Sequence, residues 1–331
     1  MKRVARLLLL LFLVAAPLLA DTVSRELELP GEPALGATLE MPAVRTGKIP
    51  GVVLMHGSGP QDRDCTMPIG LTGIHPFRRF SSELSKRGFA VLRYDKRSYA
   101  LRGSKDPQKD ILSLTPEQFI DDAALACRIL AAQPEVDSTR IFLLGHSQGG
   151  TFAPYVAQRC ELAGLVMLAP GVLPFRKQVE YQLNYQLKIL QEQNTLGVMA
   201  PTIAKTKDIL KQYKQLFKTL DDPGLSEDKV VGGATVRFYR QYDRLSEGFV
   251  EAVKELELPA LIVNGDADLK CPKELLEKLA PELKEKSDLK IVYREGTSHE
   301  FYRNKYLTFD AGAAEAVADW MAGVTRLTEL K

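Results

Sequence analysis

The sequence has 331 residues, of which 45% are hydrophobic and 26% are charged, and its formal net charge at pH 7 is +2. This composition supplies a large apolar core and excludes the disordered and fibrous classes of protein. The length fits one α/β domain with an insertion, or two smaller domains.

The first twenty residues are typical of a secretory signal peptide. Three basic residues precede an apolar run over residues 7–14, and the segment ends on the small residue Ala20. We therefore expect cleavage after Ala20 and a mature protein that is secreted or periplasmic. An uncleaved membrane anchor is the alternative, although this apolar run is short for a helix that crosses a bilayer.

Removal of the signal peptide takes away three basic groups and no acidic ones, so the formal net charge falls from +2 to −1. A nearly neutral protein gives no electrostatic reason to expect nucleic acid or an anionic membrane as a partner. We expect a small-molecule substrate and no stable membrane insertion after cleavage, while the oligomeric state stays open. An exported protein can form disulfides, and the four cysteines allow up to two of them or serve as small buried side chains: Cys65, Cys127, Cys160 and Cys271.

In the first part of the mature chain, short apolar runs alternate with helical patterns. Alternating side chains over 24–29 and 35–41 predict a hairpin at a sheet edge. Buried strands are predicted at 51–56, 89–94, 141–144 and 165–169, and helices at 77–87, 116–132 and 148–160. Nearly continuous apolar strands that alternate with helices predict a mostly parallel sheet covered by helices on both faces.

Residues 172–255 interrupt this alternation with helical apolar stripes and no predicted strand. We interpret them as a helical cap over the carboxyl edge of the sheet. Four aromatic residues of the cap are candidates for a pocket lining or for the cap's own core: Tyr181, Tyr185, Phe217 and Tyr239. The sheet pattern then returns with strands at 259–264 and 289–293 and helices at 272–285 and 311–327. Residues 21–171 and 256–331 are thus the two parts of the core.

Ser147 is the candidate nucleophile. It lies in Gly145-x-Ser147-x-Gly149, between the strand at 141–144 and the helix at 148–160. This pattern is typical of a sharp strand-to-helix turn that exposes the serine hydroxyl. At the start of the helix, the N–H of Gln148 would face a developing oxyanion.

A serine nucleophile needs a base and an orienting carboxylate. Of the four histidines, His299 follows the last predicted strand at the same sheet edge as Ser147, and we expect it to be the base. Two carboxylates follow the strand that ends at Asn264. Asp268 has the better reach to the base, while Asp266 is expected to stabilise the turn through its own backbone.

With the motifs GHSQGG, HGSG, GDAD and GTSHEF in this order, the chain resembles the α/β-hydrolases over nearly all of its mature length. The stretches HGSGPQDRD and RGFAVLRYDKR resemble those of bacterial secreted esterases of the serine-aminopeptidase-like and dienelactone-hydrolase-like group. The resemblance implies that the second oxyanion donor is the N–H of Ser58. The chain departs from the family where R-G-x-G-x-S is usual, since it continues from Arg97 to Ser104 as RSYALRGS. We call the loop that follows His56 and carries Ser58 the oxyanion loop. We expect Asp62-Arg63-Asp64 to tie down this loop and not to contact substrate.

These residues predict a serine hydrolase that forms an acyl-enzyme on Ser147, with no metal and no organic cofactor. By the resemblance, a carboxylesterase for small to medium acyl esters is favoured, although fold alone does not determine the substrate. The alternatives are a serine peptidase or aminopeptidase and a thioesterase on the same three residues. A non-catalytic binding protein is a further alternative, which the intact serine, acid and histidine motifs disfavour.

Overall fold

Strands and helices alternate along most of the chain. The structure is a computed structural model that describes residues 21–69 and 72–329, so the predicted signal peptide lies outside the described residues. The strands are β1 (Thr22–Leu29), β2 (Leu35–Pro42), β3 (Ile49–Met55), β4 (Met67–Ile69), β5 (Thr72–Ile74), β6 (Ala90–Tyr94), β7 (Val136–His146), β8 (Gly164–Leu168), β9 (Val230–Val231), β10 (Ala234–Thr235), β11 (Ala260–Gly265), β12 (Leu289–Arg294), β13 (Tyr302–Arg303) and β14 (Thr308–Phe309). The helices are α1 (Pro76–Lys86), α2 (Arg97–Ala100), α3 (Pro107–Leu112), α4 (Pro116–Ala131), α5 (Gln148–Ala157), α6 (Phe175–Glu192), α7 (Ala200–Leu220), α8 (Val236–Glu247), α9 (Phe249–Lys254), α10 (Lys273–Leu283) and α11 (Ala311–Glu329).

The central sheet has eight strands in the order β1-β2-β6-β3-β7-β8-β11-β12. The pairs from β6 to β12 are parallel, whereas β1 with β2 and β2 with β6 are antiparallel. The structure confirms the predicted mostly parallel sheet, with the predicted hairpin at one edge. Since the parallel strands all point the same way, the loops after β3, β6, β7 and β11 meet at one edge of the sheet.

Helices cover both faces of this sheet. One face packs against α4, α5, α9 and α10, and the other packs against α1 and α11. Successive side chains of β3 point to opposite faces, so that Val53 enters the first apolar layer and Val52 the second. This two-sided burial explains why the strands read as nearly continuous apolar runs.

The segment 172–255 contains helices α6, α7, α8 and α9, which confirms its predicted helical character. The expectation that it has no strand is wrong, because β9 and β10, each of two residues, pair as an antiparallel hairpin. Gly232 and Gly233 join the two strands with φ values of 56° and 94°, a conformation that glycine adopts at low cost and that suits a tight hairpin turn. The boundaries of the cap at 171/172 and 255/256 stay a prediction.

The remaining differences are short elements. The sequence patterns did not reveal the β4–β5 and β13–β14 hairpins or helices α2 and α3, because two to six residues are too few to show a periodicity. The atypical stretch from Arg97 to Ser104 folds as α2 and a 3-10 turn at Leu101–Gly103. Over the described ranges, all four cysteines are free, and no helix there combines the length and the apolar character that a membrane span requires.

Candidate active site

Ser147 occupies the tip of a sharp turn between β7 and α5. Its φ and ψ are 55° and −117°, a backbone conformation that residues other than glycine rarely adopt. The two flanking glycines allow this turn. A Cβ on Gly145 would lie 2.4 Å from the carbonyl oxygen of Gly149, and one on Gly149 would lie 2.5 Å from the carbonyl oxygen of His56. The backbone of the turn therefore packs directly against β7 and the end of β3, as the G-x-S-x-G pattern predicted.

The loop after β11 brings a carboxylate to the candidate base. Asp268 is 1% exposed, and its Oδ2 accepts a hydrogen bond from Nδ1 of His299 at 2.8 Å. Its Oδ1 accepts from the backbone N–H groups of Lys270 and Cys271 at 2.7 and 2.8 Å. These bonds fix the carboxylate and favour the tautomer of His299 that leaves Nε2 free to accept a proton.

Asp266, the other candidate carboxylate, has a different contact. Its Oδ1 accepts from the N–H of Gly296 at 2.7 Å, so it joins the loop after β11 to the turn that precedes His299. The expectation that Asp266 bonds to its own turn is therefore wrong. The reason is that the parallel neighbours β11 and β12 end side by side, which places the two loops within hydrogen-bond reach.

Ser147 and His299 line the same cavity. Among the described residues, no hydrogen bond joins the hydroxyl of Ser147 to His299. The structure thus pairs the acid with the base and places the serine beside them. In enzymes without bound substrate such a contact is often long and shortens when the substrate binds.

The two candidate oxyanion donors come from different loops that meet beside Ser147. Ser58 and Gln148 both line the cavity. In the described chain, neither backbone N–H donates a hydrogen bond to another residue, so both are free to bind a ligand. The absence of a side chain at Gly57 lets the loop that carries Ser58 approach Ser147 closely. A Cβ on Gly57 would lie only 3.1 Å from the Cβ of Ser147.

A buried histidine holds the oxyanion loop in place. His56 is 2% exposed, and its Nε2 donates to the carbonyl oxygen of Asp62 at 2.9 Å. Burial, with a smaller contribution from the nearby charge of Lys96, lowers the pKa of His56 to about 3. The imidazole is therefore neutral at pH 7 and acts here as a fixed donor.

The charged trio at 62–64 ties this loop to its surroundings. The carboxylate of Asp62 accepts from the N–H and hydroxyl of Thr66 at 2.7 and 2.6 Å. Arg63 pairs with Asp95 at 2.7 Å, and Asp64 pairs with Arg93. None of the three lines the cavity. The prediction that the trio ties down the loop is confirmed, and its position outside the cavity lining supports the prediction that it does not contact substrate.

His146 links the serine turn to the histidine loop. Its Nε2 donates to the carbonyl oxygen of His299 at 2.9 Å. Burial, and then the neighbouring His299, lowers the pKa of His146 to about 3, so its ring stays neutral. His146 thus acts as a fixed donor beside the serine, a role that the sequence did not reveal.

The cavity at the site has a volume of about 560 Å³. Helices of the segment 172–255 close it from above and add aromatic walls, of which Phe175 and Tyr242 stack with ring centroids 4.3 Å apart. Of the four aromatic candidates, only Tyr239 lines the cavity. Tyr181 and Tyr185 stack on each other, and Phe217 packs within the cap.

Three charged residues of the cavity were not singled out in the sequence. Lys270 Nζ pairs with Glu300 Oε1 at 2.6 Å. Burial acts to raise the pKa of Glu300, but the neighbouring His299 and the charge and hydrogen bond of Lys270 outweigh it and lower this pKa to about 2. Lys96 lies beneath the oxyanion loop. Two of these residues could have been predicted from their positions in the sequence. Lys96 directly follows β6 at the carboxyl edge of the sheet, and Glu300 directly follows His299.

One cluster has the donor atoms of a metal site. Asp268, Cys271 and His299 each offer one ligand atom, and these atoms lie within 4.8 Å of one another. The hydrogen bond between Asp268 and His299 uses two of these three atoms. The arrangement therefore suits the proton chemistry of a serine hydrolase, and a cation here would compete with it.

Known proteins are similar to this chain over most of its length. The family model described as serine aminopeptidase, S33, matches residues 74–305. Esterase EstD of Thermotoga maritima is 32% identical to the chain over 255 residues. That match covers 77% of this chain and 55% of the relative, so the chain spans about half the length of this curated relative.

Solved structures share the fold at low sequence identity. Est1E from Butyrivibrio proteoclasticus is 19% identical with a TM-score of 0.55, covering 91% of this chain and 99% of its own. The acylaminoacyl peptidase of Pyrococcus horikoshii is 16% identical with a TM-score of 0.56, covering 92% of this chain and 42% of its own. Together with the sheet topology, these likenesses show the α/β-hydrolase fold.

Proposed function

Because this chain belongs to the serine aminopeptidase S33 family of α/β-hydrolases, we propose that it is a serine carboxylesterase that cleaves small to medium acyl esters. One observation carries the proposal. Ser147, at the tip of a strained turn, lines the same cavity as His299, and Asp268 orients His299 through a hydrogen bond. The similarity to an esterase over 77% of the chain supports the reaction class.

In the proposed mechanism, Nε2 of His299 takes the hydroxyl proton of Ser147 while the serine oxygen attacks the ester carbonyl carbon. The carbonyl becomes an oxyanion that the N–H groups of Ser58 and Gln148 bind. His299 then gives the proton to the leaving alkoxide, and an acyl-enzyme remains. In the second half, His299 takes a proton from water and the hydroxide attacks the carbonyl carbon of the acyl-enzyme. The bond from that carbon to the Ser147 oxygen breaks, the acid is released, and His299 returns the proton to Ser147. Asp268 keeps Nδ1 of His299 protonated throughout.

The cavity supports an ester of limited size. Its volume of about 560 Å³ lies within the range of pockets that enclose small molecules. The aromatic walls from the cap suit an apolar acyl chain. The size of the cavity and its aromatic walls therefore support our proposal that the enzyme prefers small to medium acyl groups.

An aminopeptidase is the second candidate, since the family name and the acylaminoacyl peptidase structure point to it. Such an enzyme needs an anionic group for the substrate's ammonium. Of the described residues that line the cavity, Glu300 is the only carboxylate, and Lys270 already pairs with it at 2.6 Å. The neutralised carboxylate therefore favours an uncharged ester over an α-amino substrate.

The test is hydrolysis of p-nitrophenyl esters from acetate to palmitate by the mature protein and by Ser147→Ala. We expect kcat to fall by about four orders of magnitude or more in the variant, with an optimum at short or medium chains. Aminoacyl p-nitroanilides measure the peptidase alternative in parallel. Covalent labelling by a fluorophosphonate separates both hydrolases from a binding protein, because only an activated serine reacts. Equal ester turnover by both proteins would overturn the proposal.

We also propose that the protein acts after export, with its signal peptide cleaved after Ala20. The basic start, the short apolar run and the small residue at the end of residues 1–20 support this. Expression of the full chain in a Gram-negative host and N-terminal sequencing of the periplasmic fraction test it. We expect a first residue of Asp21, and a full-length protein in the membrane fraction would contradict it.

A further inference from the structure

Lys96 is a buried cation beneath the candidate oxyanion loop. It directly follows β6 and is 5% exposed. Its Nζ donates to the carbonyl oxygen of Gly57 at 2.5 Å and to Oε1 of Gln148 at 2.9 Å, and it lies 4.5 Å from the ring centre of Phe119. Within the described ranges, Lys96 forms no salt bridge. Burying a charge without a counter-ion is costly, so its presence here calls for a functional reason.

The bond to Gly57 determines where the N–H of Ser58 points. The carbonyl of Gly57 and the N–H of Ser58 belong to one planar peptide group, in which the two bonds point in opposite directions. An ammonium that holds the carbonyl oxygen from beneath therefore directs the N–H to the other side, toward the cavity. Glycines at 57 and 59 would otherwise let this peptide rotate easily.

The second bond acts on the other donor. Gln148 is 6% exposed, and its side chain reaches back to Lys96 from the first residue of α5. The backbone N–H of Lys96 also donates to the carbonyl oxygen of Gln61 at 3.0 Å, which holds the far end of the oxyanion loop. One residue thus contacts both segments that supply the candidate donors.

We propose that Lys96 is a positioning residue of the reaction, which fixes the Ser58 and Gln148 N–H groups and places a positive charge behind the oxyanion. This proposal rests on the esterase function proposed above. The ammonium group makes two hydrogen bonds, to the Gly57 carbonyl and the Gln148 side chain, and a cation–π contact with the Phe119 ring. Lys96 is therefore directed at the protein and not at a substrate carboxylate.

The surroundings leave the charge of Lys96 without compensation. Four titratable groups surround it: His56, Cys65, Tyr94 and Asp122. The first three are neutral at pH 7, because burial lowers the pKa of the imidazole and raises the pKa of the thiol and the phenol. The carboxylate of Asp122 is bound by Arg97. Burial lowers the pKa of Lys96 itself to about 7, so its charge is lost as the pH rises above neutrality.

The test compares Lys96→Met with Lys286→Met. Methionine keeps the length and apolar stem of lysine but removes its charge and donors. Lys286 is the control, since it is 8% exposed, its Nζ donates to the carbonyl oxygen of Leu256 at 2.6 Å and pairs with Asp288 at 2.5 Å, and it lies outside the residues that line the cavity. We expect Lys96→Met to lower kcat about 10- to 100-fold, in line with the loss of one oxyanion donor. KM should stay within about threefold, and kcat of Lys286→Met should match the unaltered protein.

Two further readouts separate positioning from a purely structural role. The Tm of Lys96→Met should stay within about 4 °C of that of the unaltered protein, because removal of a buried charge offsets the loss of the donor to the Gly57 carbonyl and the Gln148 side chain. For a neutral ester, kcat of the unaltered protein and of Lys286→Met should decline between about pH 7 and pH 10, and this decline should be absent in Lys96→Met. If Lys96→Met does not fold, the pH profile of the unaltered protein and kcat of Lys96→Gln provide the test.

Fluorophosphonate labelling distinguishes failure of this proposal from failure of the esterase function. When the probe labels Ser147, its phosphoryl oxygen gains negative charge and needs the same N–H donors as the oxyanion of an ester. The labelling rate should therefore fall in Lys96→Met even if esters are not the substrates. An unaltered protein that labels but hydrolyses no ester would overturn the esterase proposal alone. A Lys96→Met variant with full kcat and full labelling rate, or a flat pH profile of the unaltered protein to pH 10, would overturn the role of Lys96.

Discussion

His146 donates a hydrogen bond from Nε2 to the carbonyl oxygen of His299 over 2.9 Å. The bond joins the last residue of β7 to the loop after β12, two segments that are far apart in sequence. It fixes the backbone of the proposed base next to the proposed nucleophile, since His146 directly precedes Ser147. The relative position of the two residues thus depends on one buried, neutral imidazole.

Replacing this imidazole should weaken catalysis more than stability. In His146→Phe the buried carbonyl of His299 loses its donor, and a displacement of the base by a fraction of an ångström lowers kcat by about 10- to 100-fold. His146→Gln, whose amide can also donate, should recover part of the rate. Steady-state kinetics on one ester measure both. His75→Phe is the control, since His75 contacts Thr66 outside the cavity, and an equal loss of kcat in this control would contradict the explanation.

The two aspartates after β11 should respond differently to the same substitution. Asp268→Asn leaves the geometry in place but no longer favours the required tautomer of His299, so we expect kcat to fall about 10³- to 10⁴-fold. Asp266→Asn weakens only the bond to the N–H of Gly296. We expect its kcat within about threefold of the unaltered protein and an unfolding free energy lower by about 1 kcal/mol. Comparable rate losses in the two variants would show that the acid is misassigned.

Stability should fall as the pH drops below the usual pKa of histidine. The folded-state pKa of His56 and of His146 is about 3, against 6.5 for the free side chain. Between these values the unfolded chain binds protons that the folded protein does not, so the unfolding free energy falls as the pH decreases through this window. The full effect is roughly 5 kcal/mol for each histidine.

Urea unfolding at several pH values between 7 and 5 measures this decrease in unfolding free energy. Most carboxylates titrate below this pH range, so they contribute little to the change. The variants His56→Asn and His146→Asn should each show a shallower pH dependence than the unaltered protein. Identical slopes in all three proteins would mean that neither histidine is held neutral by the fold.

Two glycines should tolerate alanine very differently. In Gly145→Ala the new Cβ would lie 2.4 Å from the backbone of Gly149, which should lower the unfolding free energy by about 3 kcal/mol and disturb the Ser147 turn. Gly323 lies within α11 and has open space around an added Cβ. Gly323→Ala should raise the unfolding free energy by about 0.5 to 1 kcal/mol, because alanine favours the helix. Urea denaturation at pH 7.5 tests both, and a neutral Gly145→Ala would refute the close approach.

The sequence by itself determined the order of the large elements and the residues that end the parallel strands. Buried strands of five or more residues carry their own apolar signal, and the turn at Gly145-x-Ser147-x-Gly149 reflects local backbone geometry. Since parallel strands bring their carboxyl ends together, the sequence alone places the candidates Ser147, Asp268 and His299 at one edge of the sheet.

Only the tertiary structure decided which groups touch. The bond of Asp266 to Gly296, the bond of His146 to His299 and the position of Lys96 beneath Gly57 each join segments that are remote in sequence. No local pattern encodes such contacts, because they depend on strand order and register. The β9–β10 hairpin is local, but its two-residue strands are too short to show a periodicity. The packing of the cap helices decides that Tyr239 and not Tyr181 lines the cavity.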